Sequence, residues 1–286
     1  MKRAIYIFIP TTTKIYAAEQ LVAIRSYDQH QLLQPFTCAV HEGEWITLVG
    51  RNGSGKSTLG RIISGLQRSG LEITGQEMRQ SADIFPIVTQ MTSDYLLGAS
   101  AYEDLVISYE QYGRRVEPEQ LEARIDELLA ALQLRELKHV PIDQLSGGER
   151  QLVAFTGALL METRCIILDE ITSMLSETNK WRVCEMIRKL AAEQGIAVIW
   201  ITQQLDELEA SDTVWVMSEL EMVYQGSAAE LYRYCGEEAG SKAAQLGLPT
   251  PWSVHKSYEL GLAAEQLQFN PYSLAKVVKQ HAVAAY

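Results

Sequence analysis

The stretch Trp45-Ile46-Thr47-Leu48-Val49 runs directly into Gly50-Arg51-Asn52-Gly53-Ser54-Gly55-Lys56-Ser57-Thr58, and apolar residues then recur at Leu59, Ile62, Ile63 and Leu66. A compact strand, a glycine-rich turn and a helix are expected to follow one another here. The turn matches G-x-x-x-x-G-K-[ST], a pattern that carries meaning only between a strand and a helix. Its glycines let the backbone wrap closely, so successive N–H groups converge on an anion with a helix N-terminus behind them. Lys56 supplies a point charge for the β- and γ-phosphates of a nucleotide, and the Ser57 hydroxyl is placed to ligate Mg2+. Asn52, Gly53, Ser54, Gly55 and Thr58 complete the phosphate-binding candidates. A solvated lysine on an ordinary glycine turn explains neither flank.

The remaining pattern supplies a sheet for this unit. Residues 165–168 predict a strand, 177–192 a helix opened by Ser176 and closed by Gly195, and 196–201 a further strand. Residues 118–138 predict one helix, with Pro118 in its first turn and a core-facing stripe of Leu121, Ile125, Leu128, Leu129 and Leu132. Strands that are apolar throughout and separated by helices indicate an α/β fold with a mainly parallel sheet covered on both faces. Residues 213–217 and 221–225 predict a closing hairpin. After Gly226, Leu248-Pro249-Thr250-Pro251-Trp252 interrupts any long element, which leaves a small helical tail over 231–286. Residues 1–19 show no periodicity and are expected to form an N-terminal extension. Their apolar stretch stops at Pro10 with no small-residue cleavage site, so no export is expected.

Two further segments carry chemistry. Cys165-Ile166-Ile167-Leu168-Asp169-Glu170 ends a buried strand in two acids, at the sheet edge where ligands of open α/β folds bind. Behind a phosphate-binding loop, Asp169 suits the Mg2+ shell and Glu170 can orient or deprotonate an attacking water. Leu145-Ser146-Gly147-Gly148-Glu149-Arg150-Gln151 then precedes an apolar helix, presenting Ser146 and the two glycines at a helix N-terminus, a geometry that suits a phosphate.

This last run resembles the signature sequence of ATP-binding-cassette (ABC) proteins, and the ordered motifs over roughly 20–230 resemble the ATPase subunit of an ABC transporter. The resemblance implies a P-loop cassette with an antiparallel β subdomain and a helical signature subdomain over about 91–160. It implies ATP and Mg2+ as cofactors. It also implies a head-to-tail dimer with a second ABC ATPase subunit, in which Ser146, Gly147, Gly148 and Glu149 reach the partner's nucleotide. Tyr27 stands where the family stacks an aromatic ring on adenine. Gln90 matches the glutamine that contacts Mg2+ and water and heads the region facing a transmembrane transporter subunit. The chain is thus expected to sit peripherally on the cytoplasmic side of a membrane.

Two departures from the family pattern stand out. The family usually has Thr-His after the strand at 196–201, whereas this chain has Thr202-Gln203-Gln204. Gln203 can donate a hydrogen bond but carries no charge. Losing a charged hydrogen bond of about 1.5–3 kcal/mol in the transition state slows turnover roughly ten- to hundredfold. Ser173-Met174-Leu175-Ser176 replaces the usual Ser-Ala-Leu-Asp. Both departures fit one half of an asymmetric pair: a catalytically weak, nucleotide-binding subunit is the alternative to a full ATPase. The run 246–252 with its short helical sequel resembles the tail of energy-coupling-factor (ECF) ATPases, which drive uptake of vitamins or metal ions.

Composition excludes little else. The formal charge of −11 disfavours nucleic acid as a partner. The 286 residues accommodate neither the long heptad insertions nor the tandem cassettes of DNA-repair, chromosome or translation ATPases. The four cysteines are scattered without a CxxC pair and are expected to be reduced and buried.

Overall fold

A computed structural model describes residues 13–66, 69–79, 84–89, 96–112, 116–173, 175–235 and 240–284. In chain order its strands are β1 (Lys14–Arg25), β2 (His30–His41), β3 (Trp45–Gly50), β4 (Leu71–Arg79), β5 (Ile87–Thr89), β6 (Cys165–Asp169), β7 (Ala197–Thr202), β8 (Thr213–Ser218) and β9 (Glu221–Ser227). The helices are α1 (Lys56–Ser64), α2 (Ala101–Tyr112), α3 (Pro118–Ala131), α4 (Gly147–Leu160), α5 (Glu177–Gln194), α6 (Ala228–Tyr232), α7 (Lys242–Gln245), α8 (Trp252–Glu259) and α9 (Pro271–Ala284).

The main sheet runs β5-β6-β7-β3-β8-β9, parallel except for the terminal β8–β9 hairpin. Its strands alternate between two cores. Ile166, Leu168, Val198 and Trp200 join the core built with α2, α3, α4 and α5. Cys165, Ile167, Ile199 and Ile201 point the opposite way, into a core shared with α1 and a second, antiparallel sheet of order β2-β1-β4. The period of two along an apolar strand therefore serves both faces at once, which is why these strands show no polar alternation.

Several expectations need correcting. The N-terminal extension does not reach residue 19: β1 begins at Lys14, and Ile15, Tyr16 and Ala18 are buried in the small sheet. A bulge-rich register between β1 and β2 breaks the alternation that would have marked the strand. Residues 1–12 of that extension lie outside the described residues. The single helix expected over 118–138 stops at Ala131; Gln133 takes a left-handed φ of 58° and turns the chain into a short 3-10 segment at Arg135–Leu137. Ser176 occupies the N-cap position of α5, but its side chain makes no capping bond. Cys38, Cys165 and Cys184 are buried, whereas Cys235 is exposed.

The C-terminal tail is attached through a shared core. Leu231, Tyr232, Ala243, Val254, Leu267 and Phe269 pack against Val49, Val214 and Val216 of β3 and β8. At roughly 1.5–3 kcal/mol for each large apolar side chain removed from water, these contacts tie the tail to the strand that ends in the glycine-rich turn.

Candidate functional site: a phosphate-binding loop beside two acids

The glycine-rich turn leaves the C-terminal end of β3 and enters α1 at Gly55, whose φ of 99° belongs to the left-handed region. No side chain caps α1. Gly50 is required by space: a Cβ there would lie 2.3 Å from the Met217 carbonyl oxygen and 2.7 Å from Ser54 Oγ. Asn52 and Gly53 are exposed at the tip, and Thr58 is half-buried on α1. Ser54 Oγ is buried without a hydrogen-bond partner. The Lys56 ammonium, only 4% exposed, donates to the carbonyl oxygens of Gly50 at 2.8 Å and Arg51 at 3.0 Å. Burial lowers its pKa, while the nearby charges of Glu170 and Asp169 act the other way.

The acids stand on the adjacent strand ends. Asp169 closes β6, and Glu170 follows with φ 53°, an uncommon conformation for a residue with a Cβ and one that marks a constrained site. The Glu170 N–H donates to the Ile201 carbonyl of β7 at 2.9 Å, which fixes this turn to the neighbouring strand. Asp169 accepts a hydrogen bond from Ser57, and its Oδ1 is buried with no hydrogen-bond partner. Burial raises the Asp169 pKa, opposed by the Ser57 bond. A hydroxyl and a carboxylate with an unused buried oxygen are the hard donor set that Mg2+ takes.

Gln203 follows β7, and its Nε2 donates to Glu170 Oε1 at 2.5 Å. The glutamine therefore keeps a direct hold on the second acid, without a charge. Lys56, Ser57, Asp169, Glu170 and Gln203 thus converge at the carboxyl ends of the neighbouring strands β3, β7 and β6.

The signature run caps its own helix. Ser146 is the N-cap of α4; its Oγ accepts the Glu149 N–H at 3.4 Å, and Glu149 Oε2 accepts the Ser146 N–H at 2.7 Å. The Ser146 N–H expected to face a phosphate is thus taken within the chain. Ser146 and Gly147 remain exposed, and a Cβ on Gly148 would lie 2.7 Å from Leu175 Cδ2. Tyr27 sits in the turn between β1 and β2, 79% exposed, with the Arg25 guanidinium 4.9 Å from its ring centroid. Asp28 grips that guanidinium with two bonds of 2.8 and 2.9 Å. Gln90 lies outside the described residues.

Comparison with known proteins decides the family. A sequence model described as "ABC transporter" matches residues 33–173. The energy-coupling factor transporter ATP-binding protein EcfA1 of Symbiobacterium thermophilum is 31% identical over 253 residues, covering 81% of this chain and 88% of the relative. The EcfA protein of Enterococcus faecium is 31% identical over 233 residues, covering 79% and 81%. This chain belongs to the ABC transporter ATPase family. Among solved structures, cbiO1 of Clostridium perfringens, described as part of the ABC transporter complex cbiONQ, superposes with a TM-score of 0.64 at 27% identity, covering 75% of this chain and 88% of that one.

Three features of this cassette escaped the sequence reading. Glu207, 4% exposed, accepts from Thr172 Oγ1 at 2.5 Å and Trp200 Nε1 at 2.9 Å, which staples the loop after the acids to β7. Lys180 of α5 is equally buried and reaches the turn that carries Gln203. The tail turn Gln245–Leu248 shares a cavity of about 500 Å³ with Arg51–Ser54. An acid or lysine in an otherwise polar run gives no sequence signal of burial, since its partners are distant in the chain.

Proposed function

We propose that this chain binds Mg·ATP at Gly50–Thr58 and hydrolyses it as the motor subunit of an ABC uptake transporter of the energy-coupling-factor type. The observation that carries this reading is the convergence of Lys56, the Ser57–Asp169 pair and the Glu170–Gln203 pair at three neighbouring strand ends. Lys56 binds the terminal phosphates, and Tyr27 offers an open ring face for the adenine. Ser57 and Asp169 hold Mg2+, which would neutralise charge on the phosphates. Glu170, held by Gln203, orients the attacking water and takes its proton. Gln90 is assigned to the same water and metal shell. Ser146, Gly147, Gly148 and Glu149 serve the nucleotide of a second cassette subunit.

The surface beyond β5 supports a transmembrane partner. Leu66, Pro86, Leu96, Leu97 and Ile107 line a groove of about 300 Å³, with Leu97 74% exposed. Asp104, buried at the start of α2, shapes this groove by accepting the Leu97 N–H at 2.6 Å and the Gly98 N–H at 3.2 Å. Among the described residues no helix is long and apolar enough to cross a membrane. The chain then docks peripherally, on the cytoplasmic side. The relatives are named as energy-coupling factor transporter ATP-binding proteins, and uptake of a vitamin or metal ion is the work that the resemblance to that type implies.

The alternative is a weak, nucleotide-holding half of a heterodimer. The Gln203 amide favours it, since one of its donors is already spent on Glu170 and no charge remains for a phosphate. Phosphate release from Mg·ATP, with Lys56→Ala as blank and Glu170→Gln as control, decides. Release well above both variants supports a working site; release equal to the blank with ATP still bound supports the weak half.

A further inference from the structure

Gln203 touches Glu170 from a turn that has to be held in place by something other than its own strand. The residues after β7 leave the sheet at Gln203 and form a short 3-10 turn, Leu205–Glu207. Arg188 holds the Glu207 carbonyl at 3.1 Å, and two buried charged side chains fasten this turn to the other side of the site. One is Glu207 under Thr172 and Trp200. The other is Lys180, a lysine whose side chain is only 2% exposed.

The Lys180 ammonium donates to Gln204 Oε1 at 2.8 Å, to Asp206 Oδ2 at 3.0 Å and to Glu177 Oε1 at 3.3 Å, and it lies 4.2 Å from the Trp181 ring centroid. Its backbone N–H donates to the Ser176 carbonyl at 2.8 Å. That backbone bond is the first i→i−4 bond of α5, so the side chain alone makes the link that is particular to this residue, from the start of α5 to the turn after Gln203. Three acceptors satisfy the three donors of an ammonium, so burial leaves no N–H unmatched. Breaking such a group by removing one partner is costly because a buried charge is left behind, which makes the arrangement stiff. The neighbouring carboxylates outweigh burial and raise the Lys180 pKa, so it stays charged at neutral pH.

We infer that Lys180 is a positioning residue of the hydrolytic site: by clamping Gln204 and Asp206 against the first turn of α5 it sets where Gln203 meets Glu170. The kinetic part of this inference rests on the proposed ATP hydrolysis; the geometric part does not. Lys180 bonds Gln204 and Asp206 rather than Gln203 itself, so the effect passes through the backbone of adjacent residues.

The test uses the full chain labelled with 15N. The side-chain amide signal of Gln203 is assigned by its disappearance in Gln203→Ala. Lys180→Met, which keeps the stem and removes the charge, should move that signal, and Lys180→Arg should return it most of the way. Asp206→Asn, on the half-exposed partner, should move it in the same direction by less, and it serves as the readout if Lys180→Met fails to fold. In parallel, Lys180→Met should lower kcat for phosphate release about tenfold with KM for ATP within twofold, and Lys180→Arg should recover most of the rate. A Gln203 signal unmoved in folded Lys180→Met, or in Asp206→Asn, overturns the inference. An equal loss in kcat and KM, not rescued by arginine, overturns it as well. If the unmodified chain releases no phosphate above Lys56→Ala, the proposed hydrolysis fails, and the amide signal still decides the role of Lys180.

Discussion

Two helix N-termini in this molecule are proposed to meet phosphate, and they are built in opposite ways. At α1 the N-cap is Gly55, no side chain caps the helix, and the first turn contains no acid. At α4 Ser146 and Glu149 cap each other reciprocally. An uncapped N-terminus retains unsatisfied N–H groups and the positive end of the helix dipole, and it gains stability only when an anion arrives. A capped one is satisfied alone. The contrast suggests that α1 carries the affinity for nucleotide within the chain, whereas α4 is a rigid surface feature that can press on something outside it.

The largest predicted effect falls on the α1 side. Lys56→Ala should reduce phosphate release by two to three orders of magnitude, roughly what a lost electrostatic contact to a reacting group costs, and leave the melting temperature nearly unchanged. Glu170→Gln should reduce release by about a hundredfold or more while ATP binding, measured by titration calorimetry, persists. Were Glu170→Gln to lose ATP binding as well, the acid would belong to the binding half of the site. Next in size is Gln203→His: an imidazole can hold Glu170 and still offer a charged donor, so turnover should rise about tenfold if the missing charge limits the rate. No change would show that the Gln203 amide suffices.

A smaller effect is expected at α4. Ser146→Ala removes the cap and should lower stability to urea by about 1 kcal/mol, without altering ATP affinity of the isolated chain. A loss of affinity instead would break the comparison, because α4 would then serve its own nucleotide. The smallest effect is a pH dependence. Lys56 has a lowered pKa in the folded chain, so folding releases its proton between that value and the ordinary 10.5. Relative to Lys56→Met, the unmodified chain should gain stability as pH rises through that window, with no relative change below it. Parallel urea titrations of the two proteins check this.

How much was legible in the sequence varied with the locality of the interaction. The strand–turn–helix at 45–66 could be read directly because Gly50, Gly55 and Lys56 act within a few residues of one another. The acids at 169–170 were legible as the end of an apolar run. The cap between Ser146 and Glu149 spans three residues, yet only the folded geometry determines that it consumes the Ser146 N–H. The start of β1 was missed because its irregular pairing with β2 leaves no clean alternation between Lys14 and Arg25. The end of α3 was missed because the turn at Gln133 uses a non-glycine residue at positive φ, which propensity does not anticipate.

By itself, then, the sequence determined the α/β class, the glycine-rich turn between strand and helix, the two acids and the glutamine in place of a histidine, because each is written in neighbouring residues or in a fixed period. Tertiary structure alone decided that Gln203 grips Glu170, that Asp169 keeps a buried oxygen free beside Ser57, that Lys180 and Glu207 are buried anchors, and that the tail turn lies against the loop at Arg51–Ser54. Those facts depend on which strand ends lie side by side, and strand order is set by packing across the whole sheet rather than by any local run of residues.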